Sequence, residues 1–232
     1  MKRYTGAVTL AAGAVVAAGM LTACSDSSNR VTSPTGITSS TVAAMPQSAT
    51  FMADVPEANG TTMTMAITVE GDKVVAFTTD GVKDEAYFKG TQKDGTMTLT
   101  SMYGDTLKAS FNGTVVSGTV LMNESNSVPT KFKAASVPAP AGIYTAAHDN
   151  MRATWVVRPD HTLTGVMNNS APGDHKITDA IMAQNQAFMD QVRQMRVNLQ
   201  LHQAPPMTYG TWTTRMGGTT MNAVRVTGDM SF

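Results

Sequence analysis

Residues 61–122 read TTMTMAITVEGDKVVAFTTDGVKDEAYFKGTQKDGTMTLTSMYGDTLKASFNGTVVSGTVLM, and this stretch decides the fold. Turn dipeptides recur in it at intervals of about ten residues, and each supplies the positive φ that a two-residue hairpin turn needs. They are Asp80-Gly81, Asp94-Gly95, Gly104-Asp105 and Asn112-Gly113. Between them the apolar residues alternate with polar ones, as in Met63, Met65 and Ile67. The pattern predicts an antiparallel meander of strands with one apolar face.

A meander of six or seven strands must curl or be covered to hide that apolar face. Further strand-like segments follow the break at Pro138-Ala139-Pro140, and a last hairpin turns at Gly217-Gly218. We therefore expect a mainly β fold, an antiparallel meander curled into a barrel-like sheet with one long amphipathic helix packed on it. The alternative is two sub-domains divided at Pro138–Pro140.

The helix is predicted at about 175–203, with Asp174 as its N-cap and Pro205-Pro206 after its end. Its apolar stripe recurs at spacings of three, four and seven residues, and Gln and Arg are expected on the solvent face. The stripe consists of Ile177, Ile181, Phe188, Val192, Met195 and Leu199.

Two roles for this helix are open at the level of sequence. Its stripe completes a core, or the helix is a lid over an apolar cavity lined by Met97, Leu99, Phe111 and Phe188. A narrow stripe of this kind normally faces a core, so we favour core completion.

The N-terminal segments follow one another in the order that is typical of an exported, lipid-modified protein. Lys2 and Arg3 precede an apolar run over 7–20, and Leu21-Thr22-Ala23-Cys24 follows. The apolar run is short for a membrane span, which needs about 20 apolar residues. We expect a signal peptide over 1–23, signal peptidase cleavage between Ala23 and Cys24, and lipid attachment to the thiol of Cys24, the only cysteine in the chain.

The box Leu-Thr-Ala-Cys with its Ser/Asp/Asn tail resembles those of bacterial lipoproteins, and its Ala/Val/Gly-rich apolar run resembles the mycobacterial type. The resemblance implies a thioether-linked diacylglycerol on Cys24 and a fatty-acylated new amino terminus, of the palmitate type. It implies a location on the extracytoplasmic face of the cell membrane.

A second resemblance covers about residues 74–167. Gly142-Ile143-Tyr144, then Trp155-Val156-Val157 with Pro159-Asp160, resemble uncharacterised exported actinobacterial proteins. The chain departs from that pattern where an Asp-Gly turn becomes Asp160-His161. The resemblance implies a shared fold and lends no activity.

Composition narrows the classes of partner. Loss of Lys2 and Arg3 leaves 15 basic against 17 acidic side chains, so a nucleic-acid partner is not expected. Residues 24–50 are rich in Ser and Thr and poor in large apolar groups, which predicts a flexible tether before a globular β-rich domain over 51–232.

Candidate chemistry is sparse. His148-Asp149, Asp160-His161 and Asp174-His175 are residue types that ligate zinc, but they lack metal-site spacing and are predicted as solvated turns. The 16 methionines other than Met1 and Met20 fall at ordinary apolar positions, which favours packing over a copper site. We see no nucleophile elbow or phosphate loop and predict no enzyme activity, no metal and no cofactor.

The expected function is therefore that of a lipid-anchored envelope protein, a non-catalytic binding or structural module. Its partners are the membrane, through the lipid on Cys24, and an envelope lipid, glycan or protein. The alternatives are a carrier of an apolar ligand such as a lipid in a helix-lidded cavity, and a lipid-anchored hydrolase.

Overall fold

The computed structural model describes residues 42–57, 60–169 and 186–230. Eight antiparallel strands in sequence order form a closed barrel, since the first strand pairs with both the second and the eighth. The strands are β1 (Ser48–Pro56), β2 (Thr62–Glu70), β3 (Lys73–Thr79), β4 (Glu85–Lys93), β5 (Thr96–Thr100), β6 (Thr106–Phe111), β7 (Val115–Leu121) and β8 (Thr130–Ser136). This confirms the predicted meander and its closure.

β1 begins at Ser48, inside the segment 24–50 that we predicted as tether. Thr50 and Phe51 are buried, and Met45 reaches the barrel core ahead of the strand. The cause is closure, because an open meander leaves an unpaired edge on β8, and β1 covers it by pairing Phe51 with Ser136 and Met52 with Ala135. The globular part therefore starts earlier than its composition indicates.

The turn between β4 and β5 shows the predicted chemistry. Asp94 and Gly95 have φ of 50° and 78°, as both central residues of a type I′ hairpin turn require. Gly95 is needed for space as well, because a Cβ there would collide with the carbonyl oxygen of Ala43. Ala43 lies here because its N–H donates to the carbonyl of Phe111, 2.8 Å away.

The barrel interior is filled with apolar side chains. Eight-stranded barrels are just wide enough for side chains to fill or for one small ligand. Here Phe88, Leu107, Met65 and Ile67 are fully buried in one cluster drawn from every strand of the barrel.

A second sheet follows the barrel, in the order β12, β11, β10, β9, β16, and a small third sheet has the order β13, β14, β15. Their strands are β9 (Gly142–His148), β10 (Met151–Val157), β11 (Leu163–Asn168), β12 (Leu201–Gln203), β13 (Met207–Thr208), β14 (Thr213–Met216), β15 (Thr219–Asn222) and β16 (Val224–Arg225). The boundary at Pro138–Pro140 separates barrel from second sheet, but Phe77 of the barrel and Ile143 and Val156 of the second sheet belong to one core cluster.

The helix α1 spans Gln186–Leu199. Residues 170–185, with Ile177 and Ile181, lie outside the described residues. The predicted C-terminal end of the helix, at about residue 203, was wrong, because Leu201–Gln203 forms β12 and pairs with β11. An exposed edge on β11 gives these residues backbone partners that a longer helix could not supply.

The orientation of α1 differs from the prediction. Its buried residues are Met189, Arg193 and Arg196, whereas Met195 and Leu199 of the apolar stripe are 54% and 67% exposed. The two arginines face inward because they form ion pairs with buried carboxylates of the barrel. Within the described ranges, no helix has the length and hydropathy needed to cross a membrane.

Candidate functional site

Helix α1 lies across one end of the barrel, which we call the helix end. In an antiparallel meander, alternate connections fall at the same end, so the loops β3–β4, β5–β6 and β7–β8 meet there. Arg193 contacts Asp84, Asp105 and Glu124, one residue from each of these loops. Asp190 accepts from the backbone N–H of Ser125, 3.0 Å away. The helix therefore joins three separate hairpins.

Arg193 is the centre of this arrangement. Its Nη1 lies 3.3 Å from Oδ1 of Asp84, its Nε lies 3.3 Å from Oε1 of Glu124, and its Nη2 donates to Oδ1 of Asp105. Asp105 is fixed independently, because the Ser101 hydroxyl donates to its Oδ2 at 2.6 Å. One guanidinium thus satisfies three carboxylates, two of them largely buried.

A second group lies beside the first. Oε1 of the buried Glu85 lies 3.4 Å from Nη2 of Arg196 and 3.4 Å from Nη2 of Arg152, and it accepts from Nδ2 of Asn168 at 3.2 Å. The Arg196 guanidinium stacks on Tyr103, with Cζ 3.5 Å from the ring centroid. Helix, barrel and second sheet each contribute one of these charged side chains.

The charges of the two groups nearly balance. Three guanidiniums, of Arg152, Arg193 and Arg196, face four carboxyl groups, so one carboxyl proton makes the set neutral. Burial raises the pKa of Asp84 from 3.8 to about 7, although the charge of Arg193 lowers it. Asp84 is the carboxyl group whose pKa places that proton near neutrality.

Burial also raises the pKa of Tyr103, against the opposing charge of Arg196, and holds the pKa of Tyr87 well above its usual range. Both phenols are therefore neutral at ordinary pH. For Arg193, burial opposes the charged form, but the carboxylates of Asp105, Asp84 and Glu124 together raise its pKa. The site holds paired charges and neutral phenols, an arrangement suited to positioning segments of chain.

A cleft of about 200 Å³ opens at the same end, beside α1. Its floor is apolar and its rim carries Glu57 and Glu124. The floor residues are Val55, Met63, Val120 and Met122. Glu124 both lines the cleft and pairs with Arg193, so the cleft and the helix share a residue.

The residues predicted for an apolar cavity separate into two places. Met97, Leu99 and Phe111 are buried together in the barrel interior. Phe188 is half-buried on α1 and is not one of the residues of that interior cluster. Ala23 and Cys24, the predicted cleavage and lipid-attachment residues, lie outside the described residues.

The histidine turns are spread over the second half of the fold. Nε2 of His148 lies 3.4 Å from Oδ2 of its neighbour Asp149, and His161 stacks on Tyr209 with ring centroids 4.0 Å apart. Asp174 and His175 lie outside the described residues. In residues 42–57, 60–169 and 186–230, no three His, Cys, Asp or Glu side chains come together as a metal site would require.

Sequence reasoning missed Asp84, Glu85, Asp105, Arg193 and Arg196. A signal was present, because Arg193 and Arg196 are three residues apart and therefore share a helix face. Asp84 and Asp105 lie in alternate connections of the meander, which places them at one end of a barrel. From the sequence alone, both features predict solvent-exposed charges, because only closure of the barrel brings these arginines and aspartates together.

No family model, curated protein or solved structure matches this chain.

Proposed function

We propose that the protein is a lipid-anchored module of the cell envelope that binds a partner, without catalysis, through the helix end of its barrel. The observation that carries the proposal is the position of residues 42–47. The N–H of Ala43 donates to Phe111, and the carbonyl of Gln47 accepts from the N–H of Gly71, 2.7 Å away. These contacts are with the end opposite α1. The described chain therefore begins, at residue 42, at the end of the barrel opposite α1, and we assign partner binding to the helix end.

The filled barrel supports a binding module over an apolar-ligand carrier. Pockets for small molecules usually have volumes of about 300–1,000 Å³. The cleft at the helix end has about 200 Å³, and the side chains of Met97, Leu99 and Phe111 occupy the barrel interior where a carried ligand would lie. The cleft is large enough for one apolar group of a partner.

The ion pairs support a non-catalytic role over a hydrolase. Asp84, Glu85 and Asp105 each face a guanidinium of α1. Carboxylates committed to buried pairs position chain segments, whereas a general base must reach a substrate proton.

The anchor is tested by cell fractionation of Cys24→Ser, with Ser27→Ala as the matched control that keeps the thiol. We expect the Cys24 variant to appear in the medium or to accumulate unprocessed, and the control to remain with the membrane. Membrane fractionation of processed Cys24→Ser protein would overturn the anchor.

The binding end is tested by placing a photo-crosslinking amino acid at Met195, on the helix end, or at Lys93, at the opposite end; both positions are exposed. Irradiation of cells should give an adduct of defined mass from position 195 and none from position 93. Equal adducts from both positions, or none from position 195, would refute the assignment of the binding end.

A further inference from the structure

Asp84 faces an excess of negative charge at the helix end. Burial is the main cause of its raised pKa, and Arg193 of α1 lowers that pKa. Glu124 of the β7–β8 loop, Asp105 of the β5–β6 loop and Glu57, just after β1, raise it further. Glu85 follows it in sequence and is paired with Arg196 and Arg152. Because the other cations are engaged by Glu85, one guanidinium must serve three carboxyl groups.

The attachment of α1 depends on these polar contacts. Two of the three buried helix residues are arginines, and both bind carboxylates of the barrel: Arg193 binds Asp105 in the β5–β6 loop, and Arg196 binds Glu85 at the start of β4. Apolar contacts of the helix include the buried Met189 and Val197, which packs on the core shared by barrel and second sheet. A change in charge around Arg193 therefore changes the free energy that holds the helix in place.

We propose that Asp84 makes the seating of α1 on the barrel pH-sensitive: with its carboxyl group protonated the helix is held firmly, and loss of that proton loosens it. The geometry supplies the mechanism, since the ionised group adds a third negative charge around Arg193 in a site where water is largely excluded. Lifting the helix lets water solvate the ionised Asp84 and removes the cost of its burial, which is the main cause of its raised pKa.

The direction follows from linkage. The pKa of Asp84 is about 7 with the helix in place. A hydrated carboxyl group of the unseated state titrates near the ordinary value for Asp, about 3.9. The seated state therefore binds the proton more tightly, and the equilibrium constant for unseating rises with pH between these values, by up to about tenfold per pH unit, and is constant above them. This pH dependence belongs to the folded domain and does not depend on the lipid anchor.

Histidine is the other side chain type that changes charge between pH 5 and 8. His202 is the relevant one, because it lies on β12 just after α1, with Nε2 3.2 Å from the side chain of Asn169. A pH effect at α1 must therefore be assigned to Asp84 or to His202 by substitution.

The test is amide hydrogen exchange of the full chain in detergent, at several pH values from 5 to 8.5, corrected for intrinsic exchange rates. We expect α1 amides to be less protected than those of the buried strand β2. Their protection should fall with rising pH to about pH 7 and level off above it. Asp84→Asn, which keeps a neutral side chain, should remove this pH dependence, and His202→Gln should retain it.

Three results would overturn the proposal. They are equal protection of α1 and β2 at every pH, a pH dependence that survives Asp84→Asn, and one that disappears in His202→Gln. If Asp84→Asn does not fold, the carboxyl ¹³C resonance of Asp84 in the unsubstituted chain decides instead. A midpoint near 7 agrees with the proposal, and a midpoint near 4 refutes it.

Discussion

Arg193 on α1 donates from Nη2 to Oδ1 of Asp105, a carboxylate that is 1% exposed and lies 88 positions earlier in the chain. Asp105 also accepts from the backbone N–H of Asn123, at 2.8 Å, which ties the β7–β8 loop to the same carboxylate. The pair therefore connects the helix with two barrel hairpins. A helix of only 14 residues can take a fixed position on the barrel because of such long-range contacts.

Arg193→Met should destabilise the protein by about 3–5 kcal/mol, because removing one partner of a buried pair leaves the other charge uncompensated. Arg215→Met is the matched control, since Arg215 is exposed and donates to the carbonyl of Gly218. The control should stay within about 0.5 kcal/mol of the unsubstituted chain. Urea denaturation measures both, and similar losses in the two variants would mean that the Arg193 pairs contribute little.

Asp84→Asn should change the pH dependence of global stability. The folded state holds a proton on Asp84 up to about pH 7, whereas the unfolded chain releases it near 3.8. The stabilisation that the raised pKa of Asp84 gives the folded state is therefore complete below pH 3.8 and is lost as pH rises to about 7. The loss is at most about 4 kcal/mol, for a shift of about three pKa units. The free energy of unfolding of Asp84→Asn, relative to the unsubstituted chain, should rise between pH 5 and pH 8.

Asp72→Asn is the control for this pH series, because Asp72 is exposed in the turn between β2 and β3. Its stability difference from the unsubstituted chain should remain constant with pH. A constant difference for Asp84→Asn as well would show that Asp84 ionises at the same pH in the folded and unfolded chains.

The sequence predicted the barrel because its signals are local. Turn dipeptides such as Asp94-Gly95 and the alternation through β6 depend on residues a few positions apart. It did not predict the start of β1, the orientation of α1 or the cluster around Arg193. Each of these depends on a partner far along the chain: Ser136 of β8 for Phe51, and Asp105 for Arg193.

The helix shows why periodicity alone was insufficient. Its apolar stripe predicts an inward face, but burying Arg193 and Arg196 satisfies carboxylates that the closed barrel has already removed from water. The cost of leaving Asp105 and Glu85 without cations outweighs the gain from burying Met195 and Leu199. A hydrophobicity pattern contains no information about such distant charges.

Gly95→Ala should destabilise the protein more than Gly210→Ala. Both glycines have positive φ, 78° and 88°, so both substitutions carry a backbone cost of about 1–2 kcal/mol. At Gly95 the added Cβ also meets the carbonyl of Ala43, whereas at Gly210 no heavy atom lies within 4 Å. Thermal unfolding of the two variants isolates the contribution of residues 42–47, and equal melting temperatures would show that this segment does not pack on the turn in solution.

Phe188→Ala should cost less than Phe88→Ala, although the chemical change is identical. Phe88 is fully buried in the barrel interior, and its loss should cost about 3–5 kcal/mol, as for other packed aromatic residues. Phe188 is half-buried on α1, so its truncation removes less contact, and we expect a cost of about 1–2 kcal/mol. Urea denaturation compares the two directly, and equal costs would place Phe188 in a core as tight as that of Phe88.

Native mass spectrometry of the unsubstituted chain and of Phe188→Ala tests the alternative that α1 is a lid. A non-covalent lipid that is present in the unsubstituted chain and lost in Phe188→Ala would show that Phe188 closes a ligand cavity. We expect an unliganded mass in both, because Phe188 is a packing contact of the helix.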